Sequence, residues 1–426
     1  MIKLRANFRY ISSIFLAITF MPWSAIGLNQ YELYIKELTV IFIFLFIVTL
    51  KLANNRLFPV DKSSKYYISF LFLCLVYYFI QANKAAGIQN ITFLSHVLIS
   101  TILNFVIFYI FLNIKINAKD IHYFVKYSFV LYFTVCVVFI AYSLSLHLLS
   151  IGMPGDGGIF TTEAQMEQQG AYIPYLGGMN GRSWFALILS SFYVGYFMHK
   201  GKIIYSYLCC FITLLASYLM VSRGAMIFGA CLLATVIIKR INMRKMIFFS
   251  VFVLLASMLF IVYGSSEDLI SFNLLVAKSG LSNRDLLFYE ALDLSYNDYL
   301  IGRGFHSTTI DRPEFSIMGY LALPYIGTQN VFTSILIELG LIGVFLYSMF
   351  WFSLLFEINM LNKSSLDESS LGFLFGARYM TIWILLSFVF NHYSQKSFIA
   401  MPIYMIFLGI AASLLYYEKL CKRISM

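Results

Sequence analysis

Long runs of apolar residues recur along the whole chain, and polar residues gather in short stretches between them. Each run is about 20 residues long, which is the length that an α-helix needs to cross a bilayer. The runs are continuously apolar, whereas the strands of a membrane barrel alternate apolar and polar residues. The pattern therefore predicts an all-α, polytopic membrane protein of about 12 transmembrane helices. The predicted spans are 10–28, 34–52, 66–81, 91–112, 124–146, 184–198, 203–220, 226–238, 246–263, 331–356, 371–390 and 398–417.

Basic residues indicate how these spans are oriented. Of the 30 lysines and arginines, 20 fall in short loops on one side of the predicted membrane and in the two tails. Short loops rich in Lys and Arg stay on the cytoplasmic side. We therefore expect both termini inside and residues 1–426 as a single membrane domain. Two long loops, 147–183 and 264–328, are then expected on the outer face, the second with short amphipathic helices.

Composition narrows the chemistry that the chain can perform. Hydrophobic residues make up 60% of the sequence and charged residues 12%, and a soluble protein would carry about twice that charge. The net charge of +10 is explained by topology, so it does not indicate a nucleic-acid partner. The six cysteines lie in predicted spans or the final tail and lack metal-ligand spacing. With no Gly-rich nucleotide loop either, we expect no metal and no other cofactor.

Arginines on the outer face are the first candidates for chemistry. Arg223 lies at a tight turn after the seventh span, where its guanidinium is suited to bind phosphate oxygens. The alternative is an interfacial arginine that reaches toward lipid headgroups. Arg284 begins a short helix of the large loop, as a phosphate contact or as part of a surface ion pair. Arg303 lies between Gly302 and Gly304, which would let backbone approach a ligand closely or would simply form a turn.

Four further polar residues each allow a functional and a structural interpretation. Arg182 ends the first long loop, and we favour an interfacial anchor over a second phosphate contact. Arg378 lies inside the eleventh span, where a charge is often functional, but it is near enough to the cytoplasmic end to reach the interface, so it is a minor candidate. His306 and His392 are expected on the outer face, where each is a candidate general base or an ordinary polar loop residue.

Four short motifs occur in a fixed order: VSRGAM at 221–226, SNRDLLFYEAL at 282–292, YLIGRGF at 299–305 and QNVFTSILIELGLIG at 329–343. With the large outer loop and the twelve-span layout, they make the chain resemble the superfamily of O-antigen polymerases and O-antigen ligases. These are membrane glycosyltransferases that use undecaprenyl-diphosphate-linked sugars. The resemblance implies that Arg223 and Arg284 contact the diphosphate of the donor.

The chain departs from the superfamily at one position. The family, and most firmly its ligases, carries a histidine before an asparagine just ahead of the ELGLIG span, where this chain has Gln329 and Asn330. Because glutamine cannot act as a base, either the base lies elsewhere, with His306, His392 or Glu338 as candidates, or none is needed. The departure favours a polymerase over a ligase that moves glycan to lipid A-core. A flippase or transporter is a third alternative, disfavoured because the charges lie mostly in loops.

The resemblance also implies a cellular setting. We expect the protein in the bacterial inner membrane, acting at the periplasmic face on an undecaprenyl-diphosphate-linked glycan. Besides membrane lipid, the expected partners are a flippase and a chain-length regulator. The expected catalytic residues are Arg223, Arg284, His306 and Glu338, and the expected substrate-binding residues are Arg182, Arg303, Gln329, Asn330 and His392.

Overall fold

The computed structural model describes residues 8–20, 38–49, 61–84, 88–151, 178–219, 223–237, 299–304, 331–360, 366–390 and 400–425. Within this part of the chain every regular element is helical. The helices are α1 (Phe8–Phe20), α2 (Leu38–Thr49), α3 (Lys62–Lys84), α4 (Ile88–Leu112), α5 (Ala118–Ile151), α6 (Gly178–His199), α7 (Ile203–Leu219), α8 (Arg223–Ile237), α9 (Val331–Asn359), α10 (Glu368–Phe390) and α11 (Ala400–Ser425).

The helices fall on the predicted spans, so the prediction of an all-α, multi-pass membrane protein is confirmed. Among the described residues, five segments are long and apolar enough to cross a membrane: Lys62–Ala82, Ala118–Ala141, Val331–Asn359, Glu368–Phe388 and Met401–Lys419. Shorter apolar helices accompany them, for example Ile203–Leu219 and Gly224–Ile237. The predicted span 246–263 lies outside the described residues.

Large apolar side chains cover much of the outer surface of the helices. Phe42 on α2, Phe72 on α3, Phe211 on α7 and Phe345 on α9 are all more than half exposed. Soluble monomers rarely expose apolar surface on this scale. Side chains of this kind are compatible with lipid, and the helical backbone satisfies its own hydrogen bonds there.

Small residues bring the central helices into close contact. α6 packs along α10, and a Cβ atom added at Gly376 of α10 would lie 2.7 Å from the Phe192 carbonyl oxygen of α6. A Cβ at Gly195 of α6 would in turn lie 2.9 Å from the Phe375 carbonyl oxygen. Membrane helices associate largely through such close backbone packing, because lipid supplies no hydrophobic drive between them. The α6–α10 pair therefore forms a rigid centre, to which α7 and α8 are added beside α6.

One end of the bundle, here called the basic end, consists of the turns 112–118 and 199–203 and the first residues of α3 and α10. Side-chain caps satisfy the amide groups of the helices that begin there. Asp61 accepts from the Ser64 amide of α3, Asn117 from the Asp120 amide of α5, and Asp367 from the Ser370 amide of α10.

Ion pairs join helices across the basic end. They are Arg9–Asp120 at 2.8 Å, Lys419–Glu357 at 3.1 Å and Lys200–Glu368 at 3.4 Å. α6 ends there in a glycine cap, in which the Lys202 and Gly201 amides donate to the Phe197 and Met198 carbonyls. The opposite end, here called the break end, holds the last turns of α3, the first turns of α6 and α8, and the first turns of α9.

Two helices extend into the range predicted as the first long loop. α5 continues to Ile151 and α6 begins at Gly178, four residues before Arg182. α6 is consequently longer than its predicted span of 184–198. This extension changes the surroundings of Arg182, as described below.

Candidate functional site

The main irregularity of the break end is an interruption of α9 at Gly340, the glycine of ELGLIG. Gly340 has φ 67° and ψ −170°, a backbone conformation that is essentially limited to glycine. The interruption divides α9 into a first arm, residues 331–339, and a second arm, residues 341–359. The ring centroid of Phe388 on α10 lies 6.0 Å from that of Phe332 and 5.3 Å from that of Trp351. A straight helix would separate residues 332 and 351 by about 28 Å, so α9 is sharply bent.

A short segment of the large loop, Tyr299–Gly304, docks into this interruption. The amides of Arg303 and Gly304 donate to the carbonyls of Ile337 and Glu338 at 2.8 and 2.9 Å, and the Leu341 amide donates to the Tyr299 carbonyl at 2.7 Å. The end of a helix leaves backbone groups without an intrahelical partner, and such groups are costly in an apolar environment. The segment therefore completes the backbone hydrogen bonding of the broken helix.

Glycines allow the segment to approach the broken helix this closely. A Cβ atom at Gly302 would contact the Gly340 amide nitrogen and lie 2.7 Å from the Glu338 carbonyl carbon. A Cβ at Gly340 would contact the Leu300 carbonyl oxygen. Gly302 also has a positive φ of 80°, which favours glycine. The glycines of the GRG sequence (302–304) and of the ELG sequence (338–340) thus serve the same close backbone contact.

The last turns of α3 form the wall behind the docked segment. The Tyr77 hydroxyl donates to the Ile301 carbonyl. Gln81 is fully buried, and its side-chain oxygen contacts the position that a Cβ at Gly304 would occupy. Neither residue was singled out from the sequence, although Gln81 is a polar residue at the end of a predicted apolar span. A polar residue inside a predicted membrane span is the sequence signal that could have identified Gln81 as a candidate.

Glu338 is a buried carboxylate beside the interruption. Its residue is 6% exposed, and a carboxylate oxygen accepts a hydrogen bond from the Ser334 hydroxyl at 3.3 Å, one turn earlier. Its backbone carbonyl is the one that accepts from Gly304. Ionisable residues inside a membrane bundle are costly and commonly functional. The structure thus brings two expected site residues, Glu338 and Arg303, to the same interruption, with the side chain of Arg303 half-buried.

A second part of the break end is formed by α6 and α8. α8 begins at Arg223, after a connection of three residues from α7. The indole of Trp184 on α6 covers Gly224, where an added Cβ would lie 3.2 Å away. Arg182, two residues before Trp184 on α6, is 2% exposed. Arg182 is thus buried in the protein, which does not fit the interfacial anchor that we favoured, and it lies within α6 and not in a loop.

α10 lies between these two parts. Its Trp383 packs on Phe228 of α8 with ring centroids 5.7 Å apart, and its Phe388 packs on Phe332 of the first arm at 6.0 Å. Phe228 in turn packs on Trp184 at 5.4 Å. α10 therefore has aromatic contacts with both parts, through Trp383 on the Arg182 side and through Phe388 on the Glu338 side. Five expected site residues lie outside the described residues: Arg284, His306, Gln329, Asn330 and His392.

Comparison with known families gives a match to part of the chain. A family model described as O-antigen ligase matches residues 208–348 of this 426-residue chain. The match confirms the resemblance to the O-antigen polymerase and ligase superfamily. All four superfamily motifs noted in the sequence lie within the matched range, which runs from α7 through the interruption of α9. A search of curated proteins found no match.

Proposed function

We propose that the protein is a polysaccharide polymerase of the bacterial inner membrane, which joins undecaprenyl-diphosphate-linked repeat units at the periplasmic face. The observation that carries the proposal is the ordered set of four motifs inside the O-antigen ligase match. The choice of polymerase rests on Gln329, which stands where the superfamily's ligases most firmly carry a histidine. The product would be an O-antigen or a related surface polysaccharide.

The reaction is a glycosyl transfer with an activated leaving group. A hydroxyl oxygen of the acceptor repeat unit forms a new bond to the anomeric carbon of the donor glycan. The bond from that carbon to the diphosphate oxygen breaks, and undecaprenyl diphosphate leaves with both electrons of the bond. The hydroxyl proton passes to a base of the protein or to the leaving diphosphate. The protein therefore has to orient two lipid-linked substrates and stabilise negative charge on the diphosphate.

Arginines supply the charge stabilisation in this proposal. Arg223, at the start of α8, and Arg284, in the large loop, bind the diphosphate oxygens of the donor. Arginine is suited to this role because its planar guanidinium binds phosphate in a bidentate manner and stays charged. The buried Arg182 lies at the same end of the bundle as Arg223, and Arg303 lies beside Glu338. Both are proposed as further substrate contacts.

Glu338 is the proposed proton acceptor. It is a buried carboxylate at the interruption of α9, and its backbone is held by the segment that carries Arg303. A general base must come within hydrogen-bond reach of the hydroxyl that it deprotonates. His306 and His392 are the alternative bases, and Gln329 and Asn330 are proposed to bind sugar hydroxyls.

The second candidate function is that of an O-antigen ligase, which moves finished glycan from the lipid carrier to lipid A-core. The description of the matching family favours it. The chemistry at the donor is the same in both reactions, so the two candidates differ only in the acceptor. Biochemical analysis of the products distinguishes them.

The proposed orientation places both termini and the basic end in the cytoplasm, in line with the concentration of Lys and Arg there. The break end then faces the periplasm, where lipid-linked units arrive from a flippase and where a chain-length regulator acts on the growing polymer. Undecaprenyl-diphosphate-linked glycan and membrane lipid are the proposed binding partners.

Deletion of the gene tests the proposed function. Surface polysaccharide is separated on a gel, and lipid-linked sugars are extracted from the same cells. A polymerase is supported if the ladder collapses to a single repeat unit attached to its anchor. Loss of all attached glycan, with long lipid-linked polymer accumulating, identifies a ligase and overturns the first choice.

Substitution of the two arginines tests the mechanism. We expect Arg223→Ala and Arg284→Ala each to lower polymer yield by about 10²–10³-fold, because each removes a charge that stabilises the leaving diphosphate. Arg223→Lys and Arg284→Lys keep the charge and lose the bidentate geometry, so they should retain part of the activity. Polymer length and yield that are unchanged in both alanine variants, at normal protein levels in the membrane, would contradict this mechanism.

A further inference from the structure

The Tyr299–Gly304 segment is held from two directions. On one side, three backbone hydrogen bonds join it to the two arms of α9. On the other side, the Tyr77 hydroxyl donates to the Ile301 carbonyl. The backbone bonds use groups that side-chain substitution leaves in place. The hydrogen bond from Tyr77, in contrast, can be removed by a single substitution on α3, outside the segment itself.

α3 is a suitable support because it is packed firmly along the second arm of α9. Tyr67 and Phe70 of α3 lie with their ring centroids 4.7 Å from Phe350 and 5.0 Å from Tyr347, respectively. The two helices run antiparallel, since earlier residues of α3 meet later residues of α9. The Tyr77 hydroxyl is therefore fixed relative to the second arm, and through Ile301 it fixes the segment in the same frame.

The segment ends beside residues proposed to act on substrate. Two residues after Ile301 is Arg303, whose amide donates to Ile337, and then Gly304, whose amide donates to Glu338. Gln81, one turn after Tyr77 on α3, is fully buried against Gly304. A shift of the segment away from α3 would consequently move Arg303 and the backbone next to Glu338 together.

We propose that Tyr77 is a positioning residue for the transfer reaction, which acts by holding Tyr299–Gly304 in the interruption of α9. Tyr77 does not contact substrate in this proposal. Its effect passes through Ile301 to Arg303 and Glu338, and small displacements of such groups lower the rate strongly. The inference rests on the proposed function, because it assumes that Arg303 and Glu338 serve the transfer.

The variant that tests the proposal is Tyr77→Phe, and its matched control is Tyr78→Phe. Both substitutions remove one hydroxyl from neighbouring residues of α3. The Tyr78 hydroxyl forms its hydrogen bond with the Ser95 hydroxyl of α4, at 2.8 Å, and does not reach the segment. A general loss of helix packing would affect both variants, whereas loss of positioning affects Tyr77→Phe alone.

Turnover is measured on full-length protein in liposomes, with lipid-linked repeat units extracted from cells that lack the gene. We expect Tyr77→Phe to lower turnover about fivefold, the effect of one lost hydrogen bond. Tyr78→Phe should stay within about twofold, because the hydrogen bond that it loses joins α3 to α4 and leaves the segment in place. A Tyr77→Phe protein with full turnover, or an equal loss in both variants, overturns the proposal.

A second measurement reports on the segment without substrate. A cysteine is introduced by Ile301→Cys, at a side chain that is 62% exposed. The rate at which a water-soluble maleimide labels this cysteine in detergent is measured with and without Tyr77→Phe or Tyr78→Phe. Labelling of the same protein without Ile301→Cys is subtracted. We expect faster labelling when Tyr77→Phe is added and an unchanged rate with Tyr78→Phe. An unchanged rate with Tyr77→Phe overturns the holding role.

The two measurements separate failure of this inference from failure of the proposed function. A wild-type protein that joins no repeat units overturns the proposed function and, with it, the positioning role. An active wild type, combined with a Tyr77→Phe variant of normal turnover, overturns the inference alone.

Discussion

The two ends of the bundle satisfy their helix termini in different ways. At the basic end, Asp61, Asn117 and Asp367 cap helices within three residues of their own positions. At the break end, the terminus inside α9 is satisfied by Arg303 and Gly304, which lie more than 30 residues earlier in the chain. The first arrangement is local and the second depends on tertiary structure.

The carboxylates at the two ends also have different surroundings. Glu357 at the basic end pairs with Lys419 at 3.1 Å, and Lys419 is about half exposed. Glu338 at the break end is buried, and a neutral serine donates to it. An ion pair with one half-exposed partner stabilises little, although the Glu357 side chain itself is only 13% exposed. A carboxylate buried inside a membrane bundle is retained at a cost. This difference is in line with the proposed function, in which the break end carries the chemistry and the basic end anchors the protein.

Glutamine substitution of Glu338 and of Glu357 should give the largest difference in polymer yield between the two ends. Glu338→Gln keeps size and hydrogen bonding but removes the proposed proton acceptor, so we expect polymer yield to fall by about 10²-fold or more. Glu357→Gln should leave the yield within about twofold. The readout is the polymer ladder at matched protein levels in the membrane. Full activity of Glu338→Gln would exclude it as the base and direct attention to His306 and His392.

Alanine substitution of two glycines should give the next contrast. Gly340 and Gly201 have nearly the same φ, 67° and 68°. A Cβ at Gly340 would collide with the Leu300 carbonyl oxygen, whereas a Cβ at Gly201 would have no neighbour within 4 Å. In the left-handed region the backbone cost of alanine is about 1–2 kcal/mol, and the ψ of −170° at Gly340 adds to that cost.

We therefore expect Gly201→Ala to lower the thermal unfolding midpoint modestly and to leave polymer yield intact. Gly340→Ala should in addition expel the Tyr299–Gly304 segment, with a loss of yield of about tenfold or more. Both quantities are measured on the same detergent-solubilised proteins and cells. Equal losses of yield in the two variants would show that backbone strain, and not docking of the segment, is responsible.

The sequence predicted the bundle because the information for it is local. Bilayer thickness sets the length of each apolar run, so α3, α5 and α11 could be located without knowledge of their neighbours. The interruption of α9 could not be located in this way. ELGLIG is compatible with an uninterrupted helix, and α9 was predicted as one span, 331–356. The need for Gly340 comes from Leu300, which no local pattern connects with it.

Arg182 illustrates the same limit on the opposite wall. It follows MNG, a sequence that favours a loop, and was therefore expected at the membrane surface. In the structure α6 already includes it, and Trp184, two residues later, packs on Gly224. Tertiary packing of this kind overrides local propensity. Arg182 could be identified from the sequence as a candidate site residue, but its burial could not be predicted.

The smallest effect is expected from the ion pairs of the basic end. In a double-mutant cycle of Lys419→Ala and Glu357→Ala, the coupling free energy of unfolding should be below about 1 kcal/mol, because Lys419 is about half exposed to solvent. High salt should reduce it further, since exposed charges are screened. Polymer yield should not change. A coupling of several kcal/mol would show that this ion pair is a main source of stability. A loss of polymer as large as that of Glu338→Gln would show that the basic end takes part in function and would remove the distinction between the two ends.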